Sequence, residues 1–198
     1  KFFVLRDKTP GNSLFVSSAG NDANPGTVRT APKKTMRSAV ASAAGKNIYV
    51  MTGTYCEDGT GGVGCTGSSG TLSIPSGTSI YGGFDAIWYR PDITANRATV
   101  NSGSNASADS IGMQLGAVDS NVDVEGLNLN AQAATPDALS GYNTIGLMAT
   151  SGTGTLRLYK NSITAAGDAL IAGGAAPGGS YGVHLSNLNA VQLTNNTI

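Results

Sequence analysis

The sequence predicts an all-β solenoid in which short strands coil and stack in parallel, with one short helix near the N-terminus. Three observations point there. A unit of about 34 to 36 residues recurs through the second half of the chain. Glycine, serine, threonine and asparagine abound while charge is scarce. Helical periodicity is confined to a single stretch.

The repeat carries most weight. IGMQLGAVDSNVDVEGLNLNA from Ile111, IGLMATSGTGTLRLYKNSITA from Ile145 and YGVHLSNLNAVQLTNNTI from Tyr181 align. Gly112, Gly146 and Gly182 are 34 and 36 apart, and Val122, Leu156 and Val191 are 34 and 35 apart. Each unit reads as an apolar strand, a polar turn, a strand of alternating apolar residues, and an Asn-rich segment around a last apolar residue. Units this short cannot bury an apolar face alone and must stack on their neighbours. With no helix between units, leucine-rich and βαβ repeats are excluded. Val122, Val124, Leu156, Leu158, Val191 and Leu193 are then expected to form inward stacks. Asn128, Asn161 and Asn196 fall near one turn, where they form either a side-chain ladder or ordinary turn residues. The segments QAATPDALSGYNT and AGDALIAGGAAPGGS read as surface loops.

Composition agrees. Charged residues make up 12% of the chain, Gly numbers 28 of 198, and twelve basic residues balance twelve acidic ones. That balance argues against nucleic acid or an anionic membrane as the partner. No apolar run is long enough to span a bilayer. The chain begins at Lys1 without a signal peptide and stops just after a strand, which reads as a mature or trimmed piece of something longer. Cys56 and Cys65 flank a Gly-rich stretch that a disulfide can close, worth roughly 2–3 kcal/mol by loop entropy. Two free thiols or half of a metal site are the alternatives. A disulfide implies an oxidising compartment.

In the first half, LFVS reads as a strand and AGNDANPGTVRTAP as a turn-rich loop. KKTMRSAVASAAG has helical spacing, with Met36, Val40 and Ala43 or Ala44 on one face and Gly45 as the stop. NIYVMTGTY returns to strand. LFVS, GNDANPGT, PKKT, IYVMTGTY and GTSIYGGF, spread over residues 14–84, resemble the N-terminal module of bacterial right-handed parallel β-helix proteins of the pectin-lyase-like superfamily. Met51 is a small departure from that pattern. The resemblance implies a right-handed parallel β-helix whose open N-terminal end is covered by a short amphipathic helix, here residues 34–44. A single domain over 1–198 follows, with strand, loop and capping helix in 14–45 and coils with inserts in 46–198. Architecture of this kind carries lyases, hydrolases and adhesins alike, so function must come from the site.

Chemistry is sparse in the sequence. Asp123 and Glu125 flank one strand, but the matching positions in the next units are Arg157 and Tyr159, then Gln192 and Thr194, so no acidic cluster builds up. Arg157 and Lys160 lack a visible partner and read as a solvated strand face. DSNVD, with Asp119, Asn121 and Asp123, reads as a turn rather than a calcium loop. His184 reads as outward and solvated. Gly59, Gly61 and Gly64 match a dinucleotide fingerprint by letter only. Asn105 and Asn195 head glycosylation sequons. In IPSGTSIYGGFDAIWYR, Ile80 and Tyr81 read as strand, Gly82 and Gly83 as a bend that turns Phe84 inward. Trp88, Tyr89 and Arg90 are the candidate ligand contacts.

The resulting expectation is a non-enzymatic extracellular or cell-surface module of a bacterium, exported through the periplasm: an adhesin, fibre or spacer whose loops contact a glycan or protein. No cofactor or metal is expected. Oligomerisation or stacking through an uncapped C-terminal end stays open. The rival reading is a polysaccharide lyase or glycoside hydrolase of the same superfamily, which needs paired carboxylates about 5–10 Å apart.

Overall fold

A computed structural model describes residues 12–43, 45–57, 70–102, 109–132, 142–166 and 179–198. Most of the two Gly/Ala/Pro-rich inserts, Cys65, Gly59, Gly61, Gly64, Asn105 and Ala44 lie outside the described residues. In chain order the elements are β1 (Ser13–Val16), α1 (Met36–Val40), β2 (Asn47–Met51), β3 (Thr54–Cys56), β4 (Leu72–Ile74), β5 (Ile80–Phe84) and β6 (Ala98–Ser102). There follow β7 (Ser110–Leu115), β8 (Val122–Glu125), β9 (Leu127–Ala131), β10 (Thr144–Ala149), β11 (Gly152–Tyr159), β12 (Ser162–Ala165), β13 (Ser180–Leu185) and β14 (Leu188–Thr194).

Every strand pairs in parallel with its counterpart one coil away. The result is a parallel β-solenoid of about four turns. Its walls are a six-stranded sheet (β1-β2-β5-β8-β11-β14) and two four-stranded sheets (β13-β10-β7-β4 and β12-β9-β6-β3). The register follows the sequence repeat: Ile145 faces Ile111 and Tyr181, and Leu156 faces Val122 and Val191. Leu158 likewise lies between Val124 and Leu193. Alternation puts these residues inside, and Val124, Leu156 and Leu158 are fully buried. Burial of each such side chain stabilises the coil by about 1.5–3 kcal/mol. Val191 and Leu193 hold the same stack positions in the last coil, where they are 38% and 51% exposed.

The helix is shorter than its spacing predicts. Thr35 caps it by accepting from the Ser38 N–H, and it gives way after Val40 to tight turns that end at Gly45, where φ is +77°. Met36, Ala39, Val40 and Ala43 enter the solenoid core, so Ala39 belongs to the buried face as well. Glu57, just after β3, supplies a second cap: its carboxylate accepts from the N–H groups of Met36 (2.9 Å) and Arg37 (2.8 Å). The GNDANPG loop is fastened by buried Lys33, whose ammonium donates to the carbonyls of Asp22 (3.2 Å) and Asn24 (2.9 Å).

The asparagine ladder exists, one rung away from where spacing places it. Asn161 is fully buried; its side chain donates to Val124 O (2.8 Å) and Asn196 Oδ1 (3.1 Å) and accepts from Leu127 N–H (3.1 Å). Asn128 is not part of it. It sits opposite Ser162 and Thr99 on the sheet of β9. The reason is the turn before it, where Gly126, Lys160 and Asn195 take the same left-handed conformation in successive coils (φ 67°, 54° and 54°). That equivalence matches Leu127 rather than Asn128 with Asn161. Gly126 is also the one of the three with no room for a side chain: a Cβ there would lie 2.8 Å from both Gly82 O and Arg90 Nη2.

Candidate functional site

The outer face of the six-stranded sheet has two regions of different character. On the strands nearest the N-terminus, alternation aims Phe15, Tyr49 and Tyr81 outward. Their rings stack at 5.5 Å from one coil to the next. Phe84 joins them edge-on to Tyr49 at 5.6 Å. Phe84 is therefore buried, but in this second cluster outside the sheet and not in the coil interior. The sequence expectation of an inward turn is corrected because the loop that follows folds back over the outer face. Asp85 organises that loop by accepting from the N–H groups of Ile87 (3.0 Å) and Tyr89 (2.8 Å). Trp88 is held at φ 61°. Its ring lies 5.0 Å from Phe15 and 6.2 Å from Phe84, and its Nε1 donates to Arg29 O at 3.2 Å.

Further along, the same face becomes polar. Asp123 and Glu125 alternate with inward Val122 and Val124 on β8, and both carboxylates are largely buried. Asp123 receives the Tyr81 hydroxyl at 2.8 Å and Arg157 Nε at 2.5 Å. Burial, then the Asp123 carboxylate, push the Tyr81 hydroxyl well above the ordinary tyrosine value. Glu125 receives Arg90 Nη1 at 2.9 Å. Arg90 also donates from Nε to Gly82 O at 2.7 Å and lies 5.3 Å over the Phe84 ring. One coil on, Arg157 stands opposite Asp123 and Tyr159 opposite Glu125. One coil further, these positions hold Gln192 and Thr194.

Glu125, Arg157, Leu158, Tyr159, Gln192 and Thr194 line a groove of about 230 Å³ on this face. Lys160, at the turn after β11, sets its ammonium 5.3 Å from the Tyr159 ring. Two residues along one strand are about 6.6 Å apart, so Asp123 and Glu125 have hydrolase-like spacing. Each, however, is tied into an ion pair.

Of the residues singled out from sequence, Trp88 braces the aromatic cluster and Arg90 anchors Glu125. Tyr89 is the exposed member of the three, at 40%. Arg157, expected on a solvated strand face, instead pairs with Asp123 one coil back. Asp119 and Asn121 lie exposed before β8. His184 is exposed, with the Tyr181 ring at 6.3 Å. Cys56 is buried at the end of β3. Tyr159, Gln192 and Thr194 enter the groove through register alone: Tyr159 and Thr194 stand in the 34- and 35-residue column of Glu125, and Gln192 in that of Asp123 and Arg157. Among the described residues, no three or more His, Cys, Asp and Glu side chains gather as metal ligands, and no helix is long and apolar enough to cross a membrane.

Fold and site thus define a parallel β-solenoid with a brace of aromatic rings and a polar groove on one outer face. Comparison with protein-family models, curated proteins and solved structures finds no match for the chain.

Proposed function

We propose that the chain is a non-enzymatic extracellular module of a bacterial surface, an adhesin, fibre segment or spacer in which a stiff solenoid presents a ligand-contacting face. One observation carries this reading. The two outward carboxylates of the six-stranded sheet are committed to structural partners, Asp123 to Tyr81 and Arg157, and Glu125 to Arg90. A general acid or base must exchange its proton with substrate, and a carboxylate held by an arginine is poorly placed to do so. The extracellular part of the reading rests on a Cys56–Cys65 disulfide, which thiol titration of the unfolded chain with and without reductant tests. Stacking through the last coil belongs to the same reading, because Val191, Leu193 and Ile198 are exposed in its inward columns.

The spacing of Asp123 and Glu125 favours a second reading, a glycoside hydrolase or polysaccharide lyase of the pectin-lyase-like superfamily. Depolymerisation assays on neutral and uronate-rich glycans, with and without calcium, separate the two. Turnover that disappears in Asp123→Asn or Arg157→Ala, with the fold intact, would replace the first reading by the second.

A further inference from the structure

We infer that the outer face of the sheet β13-β10-β7-β4 binds a soft monovalent metal ion, Cu(I) or its analogue Ag(I), between the thioether of Met148 and the imidazole of His184. The site lies on a different wall from the groove and does not rest on the surface-module reading. Register creates the pair, because Met148 on β10 stands opposite His184 on β13. Both occupy outward positions. Met148 is half-buried between buried Leu147 and Ala149, and His184 is exposed between Val183 and Leu185, which pack on the core. Among the described residues neither side chain has a hydrogen bond or ion pair. The Tyr181 ring stands edge-on to the imidazole at 6.3 Å.

Spacing and donor chemistry narrow the ion. Residues opposite each other on paired strands are about 4.8 Å apart. A metal ion sits about 2.0–2.3 Å from an imidazole nitrogen or a sulfur, so an ion in line between the two spans about 4–4.5 Å, close to that spacing. Filled-shell Cu(I) and Ag(I) accept such two-coordination, and soft thioether and imidazole donors suit them. Zinc asks for four ligands drawn from thiolate, imidazole and carboxylate, and calcium and magnesium ask for oxygen donors with carboxylates among them. This wall supplies no carboxylate: β4, β7, β10 and β13 contain no Asp, Glu, Lys or Arg. Gln114 and Ser73, which continue the column beyond Met148, are uncharged as well. Neutral donors hold a single positive charge at less cost than a double one.

The test adds silver nitrate to the 198-residue chain in chloride-free buffer, after alkylation of any free thiol. His184 is the single histidine, so the nuclear magnetic resonance signals of its ring nitrogens report the site directly. Titration calorimetry gives stoichiometry and affinity, and Cu(I) follows under anaerobic conditions in competition with a chromophoric chelator. His184→Gln and Met148→Leu alter outward side chains, and melting temperatures near that of wild type serve as the check that both fold. The expected result is one Ag(I) per chain, a shift of the imidazole nitrogen signals, and affinity at least about tenfold weaker in each variant. Loss of a group that merely orients a metal ligand already costs about 10–100-fold. Met148→Leu separates the pair from an imidazole acting alone: affinity equal to wild type would reduce the site to a surface histidine and overturn the inference. Imidazole signals that ignore silver, uptake untouched by both variants, or zinc bound as tightly as silver would each overturn it too. None of these outcomes bears on the surface-module reading, which glycan and cell-binding assays test separately.

Discussion

The hydroxyl of Tyr81 donates to the carboxylate of Asp123 at 2.8 Å, joining the last ring of the aromatic stack to the buried carboxylate that holds Arg157 of the groove. Both residues are buried. Tyr81→Phe keeps the ring and takes one hydroxyl donor away from the buried Asp123 carboxylate. The expected loss is about 1–2 kcal/mol in urea unfolding. Equal midpoints for the two proteins would show that the bond contributes nothing net.

Glu57 should matter twice, as a cap and as a titrating group. Glu57→Ala removes the acceptor for two N–H groups of α1 and is expected to destabilise by about 1–2 kcal/mol. Burial raises the Glu57 carboxyl above its ordinary 4.5, against the opposing pull of the Arg37 and Met36 N–H groups. A raised folded value means that the contribution is complete below the unfolded value and fades as pH climbs through the folded one. The stability of wild type relative to Glu57→Gln should therefore be greatest at acid pH and decline as pH climbs above the ordinary carboxylate range. The opposite slope would mean that the helix N–H groups outweigh burial.

Asn161 and Asn128 look alike in sequence and should behave differently. Asn161→Ala leaves Leu127 N–H and Val124 C=O unpaired inside the protein, for a loss of about 2–4 kcal/mol. Asn128 is half-buried with a 3.3 Å contact to Thr99 Oγ1, so Asn128→Ala should change stability by less than about 1 kcal/mol. Comparable losses at the two positions would sink the ladder assignment.

Trp88 combines packing with a backbone angle that side chains resist. Trp88→Ala should lower stability by about 1–3 kcal/mol through lost burial against Phe15 and Phe84. Trp88→Gly should be the milder of the two by about 1 kcal/mol, since glycine adopts φ 61° without strain. Thermal melts of the pair decide it. Because Trp88 is the sole tryptophan, its fluorescence in wild type reports the outer cluster directly.

Register was the most legible property of the chain. The 34- and 35-residue columns through Val122, Leu156 and Val191 place the opposing residues of β8, β11 and β14 correctly, because parallel coils turn sequence period into spatial contact. The outer aromatic cluster was hidden for a related reason. Alternation in IYGGF separates Ile80 from Tyr81 but does not show that the loop directly after it, which carries Trp88, covers the outside as well. The asparagine rung slipped because one left-handed residue, glycine in one coil and lysine or asparagine in the next, shifts the alignment by a position without changing composition. The groove is less legible in the sequence because its carboxylates do not repeat along a column: Asp123 is answered by arginine one coil later. That pairing is visible in the spacing of Asp123 and Arg157 once the columns are drawn.

The strict stacking of one unit on the next also sets how far such a chain reaches. Each unit of about 34 residues advances the rod by one strand spacing, about 4.8 Å. The same residues pulled straight would extend roughly 110 Å. The fold gives up more than nine-tenths of its contour length, and what it gains is a ruler. Distance along the axis is counted in whole coils, and any side chain repeated at the unit spacing returns at the same angle, one step higher.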